Sequence, residues 1–378
     1  MFHFLKDNLK IGVEETVLFE FIRLAFGCKP EKTIPKETNW QKILDLSIGQ
    51  NVALLAFSGL VKYKDVEIDE DIRYKWLGHC LVLAGKNNHL FQVAKRLADK
   101  WTQEGLNVFL LKGFSIAQFY PKMTYRECVD IDVYLYKVGC SANDSIGWEL
   151  GNALMETLGV TVNKSDYRHS IINYEGVKIE NHRICASSVK GNPLQRKLDL
   201  YMKSLMSRQK NNDYSFIGDT NLISPPPLFN LIFFMQHAYN HFMNEGLTLR
   251  HICDWGVLIK AYQDKGDVFW NDYHIICEMF GFSNFSNSLS RIVFLVCGVK
   301  APWFLSPPLL EHQDYILLSD CFKKRSIKVT YTNSVITHFQ QAINKICGYW
   351  KYRYYSDRSF LADILHSFWG TVVEKNYS

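Results

Sequence analysis

The segment from Val108 to Tyr136, VFLLKGFSIAQFYPKMTYRECVDIDVYLY, constrains this chain more than any other. An apolar run, Val108 to Leu111, leads into Lys112-Gly113-Phe114-Ser115 and then into a short helical pattern closed by Pro121. A polar loop follows, and a second strand pattern opens on Asp130-Ile131-Asp132. Side chains alternate faces along a strand, so Asp130 and Asp132 point the same way. Two like charges held together are unfavourable unless a cation sits between them. Magnesium, with a polyphosphate as its other ligand, suits that position.

The spacing elsewhere divides the chain into three regions. Residues 1–105 read as helical, with apolar residues recurring at helical spacing in ETVLFEFIRLAFG, WQKILDLSIGQNVALLAFSGL and YKWLGHCLVLAGKNNHLFQVAKRLADKW. Residues 106–220 change character. NVFLLKG and DIDVYLY read as strands, SIGWELGNALMETLGV as an amphipathic helix, and HSIINYE and VKIENH as a hairpin turning at Gly176. Ser224-Pro225-Pro226-Pro227 then punctuates the chain, and residues 221–378 return to helical patterns. The expected architecture is α+β: a small mixed sheet flanked by helical regions at both ends.

Composition bounds the function class. Of the 378 residues, 47% are hydrophobic, ample for a packed interior. The net charge of +5 is small for this length; it fits anionic small molecules and does not demand nucleic acid. The ten cysteines are scattered without a CxxC pair or a zinc-like Cys/His spacing, and read as small buried apolar residues in a reducing compartment. The start, MFHFLKDNLKIG, lacks the pattern of a signal peptide, and the longest apolar stretches are too short to cross a bilayer. A cytoplasmic protein without membrane contact is expected.

Gly113 lets the backbone approach a ligand closely, and the N–H groups at the following helix start, with the Ser115 hydroxyl, suit a phosphate; a tight turn with a helix cap is the structural alternative. Glu180 and His182 share one face of the VKIENH strand, where Glu180 can be a third metal ligand and His182 can orient it or reach the substrate, or both can be a solvated edge. Lys112 and Arg126 are candidates for neutralising phosphate charge, with a surface or strand-end role as the alternative for each.

These residues resemble the nucleotidyltransferase superfamily of the DNA polymerase β type, and within it the poorly characterised bacterial nucleotidyltransferases of the NTP_transf_5 grouping. The resemblance rests on Leu110-Leu111-Lys112-Gly113, Tyr120-Pro121, Arg126, Asp130-Ile131-Asp132 and the later Glu180-x-His182, in that order. Val129 stands where the family usually has glycine, and the turn carries a single glycine. The resemblance covers about residues 85–260 and implies two-metal catalysis with an NTP, ATP above all, as substrate. Asp130, Asp132 and Glu180 would hold two Mg2+ ions about 4 Å apart, and Lys112, Gly113, Ser115 and Arg126 would bind the nucleotide. The acceptor stays open among small molecules, peptides and proteins, with nucleic acid not expected. A catalytically degenerate nucleotide- or partner-binding module and a phosphotransferase on the same scaffold are the alternatives.

Further along, HAYNHF sets His237 and His241 on one helical face, followed by Arg250 and Asp254. The histidine pair lacks the HExxH glutamate, and the sequence assigns no third ligand. A buried polar network tying the helical region to the core is expected, with acceptor contact as the alternative. The tail NKICGYWKYRYYSDRSF interleaves basic and aromatic residues, which can bind nucleic acid but reads here as a helix with snorkelling Lys and Arg.

Overall fold

A computed structural model describes residues 11–31, 33–63, 66–140, 144–186, 193–208, 214–323 and 348–355. The chain opens on helices α1 (Val13–Ala25), α2 (Trp40–Gly49), α3 (Ala53–Leu60) and α4 (Glu70–Gln103). Asn39 caps α2 by accepting from the Lys42 N–H, and Asp69 caps α4 by accepting from the Asp71 N–H. The 34 residues of α4 span about 51 Å at the α-helical rise. This helix feeds β1 (Leu106–Leu111), which turns into the short α5 (Gly113–Ala117).

After a 3-10 turn at Met123–Tyr125 come β2 (Ile131–Lys137), α6 (Ile146–Thr157), β3 (Val162–Asn163), β4 (His169–Tyr174) and β5 (Val177–His182). Then follow α7 (Pro193–Ser207), β6 (Ser215–Phe216), β7 (Leu222–Ser224), α8 (Pro227–Asn244) and α9 (Leu249–Tyr262). Helices α10 (Asp267–Met279), α11 (Ser283–Cys297), α12 (His312–Cys321) and α13 (Tyr349–Tyr355) complete the described chain. The sequence tail reading falls on α13 in part; residues 324–347 and 356–378 lie outside the described residues.

The strands form one mixed sheet in the order β3-β4-β5-β2-β1-β7-β6. β1 pairs antiparallel with β2, β2 pairs parallel with β5, and β4 and β5 form the expected hairpin about Gly176. The α+β expectation holds. The short β7 lies beyond residue 220, and pairs parallel with β1, so the sheet continues past the limit read from the sequence.

Alternation along the strands separates two cores. Val108, Leu110, Ile131, Val133, Leu135 and Ile179 pack on one face beneath α4 and α6. Gly147 lets α6 sit directly on β2, since a Cβ there would fall 2.1 Å from the Leu135 carbonyl oxygen. Phe109, Leu111, Tyr134 and Ile223 face the other way, into a larger cluster that gathers residues from α1, α2 and α3 together with α8, α9, α10 and α11. Phe234 and Trp255 stack there with centroids 5.6 Å apart. Asp132 shares this second face, because it stands opposite Leu111. No helix among the described residues is long and apolar enough to cross a membrane.

Candidate active site

The sheet register brings Asp132 and Glu180 together. They are direct partners across the parallel β2–β5 pair, and therefore project from the same face. Asp130 precedes Asp132 by two residues, and a Cβ on Gly113 would lie 3.9 Å from the Asp130 carbonyl oxygen, so the glycine turn abuts the Asp130 backbone. His182 Nε2 lies 2.9 Å from Asp132 Oδ1 and 3.6 Å from Glu180 Oε2. Lys112 Nζ is 2.8 Å from the same Asp132 oxygen. Lys178 Nζ donates to Glu180 and stands 4.0 Å from Asp130 Oδ2. Three carboxylates are thus interleaved with three cationic groups.

Burial raises the stakes of each charge. It pushes Asp132 up, but the Lys112 ammonium and the His182 hydrogen bond outweigh it and hold the carboxyl below its usual range. Glu180 follows the same logic: burial is overcome by hydrogen bonds to His182 and Lys178, and the group is held far down. Burial and the neighbouring Asp132 charge push Asp130 up. Burial works against a charged His182, yet its hydrogen bonds to Asp132 and Glu180 raise it.

Of these groups Glu180, His182 and Lys112 line an open cleft of about 200 Å³, together with His169, Gln236 and His237 among others, and Asp130 and Asp132 are not part of its lining. His169 faces His182 across the hairpin register, and its Nε2 is 3.8 Å from Glu180. His169, Lys178 and Gln236 were not singled out in the sequence. The alternation of the two hairpin strands, read together with their register, is the signal that finds His169.

The turn at Lys112 is strained, with φ 43° and ψ −138° in a lysine. Ser115 is fully buried, and its hydroxyl donates to Asn230 Oδ1 at 3.0 Å. The structure therefore does not bring Ser115 to the cleft. Arg126 is buried as well. Its Nε and Nη2 donate to the two oxygens of Asp254 at 2.8 and 2.9 Å, and the Tyr120 hydroxyl donates to Asp254 at 2.7 Å. Two residues expected to act apart are thus joined in one bidentate pair between the loop before β2 and α9.

The same loop is stitched to α4 by Asn87, which donates to the Thr124 and Arg126 carbonyls and accepts from the Cys128 N–H. Arg250 Nη1 donates to the Glu127 carbonyl at 3.3 Å. Asp130 is consequently presented by a loop fixed from two sides. Val129, at 65% exposure, points outward from it.

His237 and His241 lie one turn apart on α8 with ring centroids 4.4 Å apart, and His251 of α9 joins them at 6.3 and 5.1 Å. Burial, then the Lys112 charge and the other two imidazoles, push His237 well below the ordinary histidine value.

A mixed sheet that seats paired carboxylates near a glycine turn defines an α+β protein whose cleft sets Glu180 among Lys112 and histidines. Residues 36–291 match a family described as uncharacterised nucleotidyltransferase, more than half of the chain, and the chain belongs to that family. The match is wider than the span of about residues 85–260 read from the motifs. No curated protein and no solved structure matches the chain.

Proposed function

We propose that this chain is a magnesium-dependent nucleotidyltransferase that moves a nucleoside monophosphate from an NTP, ATP by preference, to an acceptor hydroxyl. The observation that carries the reading is the opposition of Asp132 and Glu180 in register on β2 and β5, with Asp130 beside the Gly113 turn. Family membership supplies the reaction class.

Asp132 and Glu180 supply the hard, ionised oxygens that Mg2+ takes. Asp132 and Glu180 are held ionised, and an incoming metal would take over the oxygens that Lys112, Lys178 and His182 now occupy. Asp130, Asp132 and Glu180 would hold the metal, which supplies charge stabilisation for the attacking and leaving oxygens.

Lys112 neutralises phosphate charge from its position beside Asp132, and Gly113 admits the polyphosphate close to the backbone. The acceptor oxygen bonds to the α-phosphorus, the bond to the β-phosphate oxygen breaks, and pyrophosphate leaves. Asp130, whose carboxyl is pushed up by burial and by Asp132, takes the hydroxyl proton, while Glu180 stays ionised and protonated His182, bonded to Asp132, offsets the charge of the pair. In this reading Ser115 and Arg126 hold the scaffold and leave phosphate binding to Lys112 and Gly113.

Lys178, set between Asp130 and Glu180, favours the rival reading of a degenerate nucleotide-binding module, since it occupies oxygens a metal needs. Thermal shift with ATP and Mg2+ decides between them. The wild type is expected to gain stability that the Asp130→Ala/Asp132→Ala protein does not; equal gains in both remove the metal site. Incubation with α-labelled and γ-labelled ATP and pooled acceptors then separates nucleotidyl from phosphoryl transfer: pyrophosphate release with α-label on the acceptor is expected, and ADP release overturns it.

A further inference from the structure

We propose that His237, His241 and His251 form a binding site for a zinc-class transition-metal ion, separate from the carboxylate site. One ligand atom from each of the three lies within 4.8 Å of the others, and no carboxylate belongs to the set. Three imidazoles suit zinc, cobalt, nickel or copper and do not suit magnesium, which takes oxygen.

The second observation is the support around the rings. Glu245 Oε2 lies 3.3 Å from His241 Nδ1, one turn further along α8. A carboxylate on one imidazole nitrogen orients the ring, and makes the opposite nitrogen a better ligand. On His251 the Nδ1 side is fixed by Thr248, whose N–H and hydroxyl lie 3.1 and 3.0 Å away. The Thr248 N–H donates to Nδ1, which leaves the ring proton on Nε2, so ligation through Nε2 requires that proton to leave and Nδ1 to turn from the Thr248 N–H to the Thr248 hydroxyl as acceptor.

The scaffold is rigid and the entry is open. His251 sits at 4% exposure in the first turn of α9, whereas the His241 side chain is 30% exposed and gives an ion access from solvent. Zinc–imidazole bonds of about 2.0–2.1 Å draw the three nitrogens together by small ring rotations. Three protein ligands leave a fourth tetrahedral position for water or a ligand. His237 also lines the cleft, so a bound ion would stand beside the proposed transfer site.

The test uses the full chain after treatment with a chelator. Titration with Co2+ is expected to produce the visible absorption of a tetrahedral cobalt–imidazole centre at one equivalent, and Zn2+ to bleach it. Glu245→Gln is expected to weaken Zn2+ binding by about 10–100-fold, and His241→Ala, at a half-buried position, by more. The Asp130→Ala/Asp132→Ala protein is expected to bind Co2+ as the wild type does, which separates this site from the one proposed for Mg2+. Absence of one-equivalent binding in the wild type overturns the proposal. So does an unchanged spectrum in His241→Ala, or loss of the spectrum in His182→Gln with retention in His241→Ala, which would assign the ion to His169, Glu180 and His182.

Discussion

Asp132 and Glu180 stand directly opposite each other on two parallel strands, and the His182 Nε2 bridges them at 2.9 and 3.6 Å. Because Lys112 shares the same Asp132 oxygen, the carboxylate is the partner of both the buried His182 and the cleft-lining Lys112. Removing it leaves Lys112 without its ion-pair partner and His182 with Glu180 alone. Asp132→Asn is expected to abolish transfer and to cost about 3–5 kcal/mol of stability, read by urea unfolding. Adding Lys112→Met should recover part of that loss; a double variant no more stable than Asp132→Asn would dissociate Lys112 from the pair.

Lys112 itself sits at φ 43°, where a side chain is strained. Lys112→Gly and Lys112→Ala both remove the ammonium, but only glycine relieves the backbone. The glycine variant is expected to be more stable than the alanine variant by about 1 kcal/mol. Equal midpoints in thermal denaturation would mean that the turn carries no strain.

The Arg126–Asp254 pair, with Tyr120 on the same carboxylate, ties the loop before β2 to α9. Breaking one side strands a buried charge, so Asp254→Ala is expected to cost about 3–5 kcal/mol. The Arg126→Met/Asp254→Leu double variant should lose less than the two single losses added. Strict additivity in chemical denaturation would show that the two groups do not interact.

Glu127 gives a pH-dependent test away from the carboxylate cluster. Its Oε1 is buried without a hydrogen-bond partner among the described residues, and burial pushes the carboxyl up despite the opposing charge of Arg250. A raised folded pKa means that the group's contribution is fully present below the unfolded value, and is lost as pH rises through the folded one. Wild type should therefore lose stability relative to Glu127→Gln between acidic and neutral pH. At pH 7 the glutamine variant is expected to be the more stable by on the order of 1 kcal/mol. Parallel stability curves for the two proteins from pH 4 to 8 would refute the prediction.

Much of this arrangement is legible locally. Period-two alternation alone sets Asp130 with Asp132 and Glu180 with His182, and the Gly176 turn specifies the β4–β5 hairpin. The helical stretches on either side follow from apolar spacing. The order Lys112-Gly113, Asp130-x-Asp132, Glu180-x-His182 was sufficient to suggest the family that the match over residues 36–291 bears out.

Sequence by itself therefore determined which side chains share a strand face, because that depends only on backbone geometry over a few residues. Tertiary structure decided which faces meet. The parallel register of β2 and β5, set by burial across the whole sheet, places Glu180 against Asp132. Packing of α8 and α9 onto that sheet turns Ser115 inward to Asn230, pairs Arg126 with Asp254 and sets His251 beside His237 and His241. Those contacts join residues distant in the chain, and no local periodicity encodes a partner that only the folded core selects.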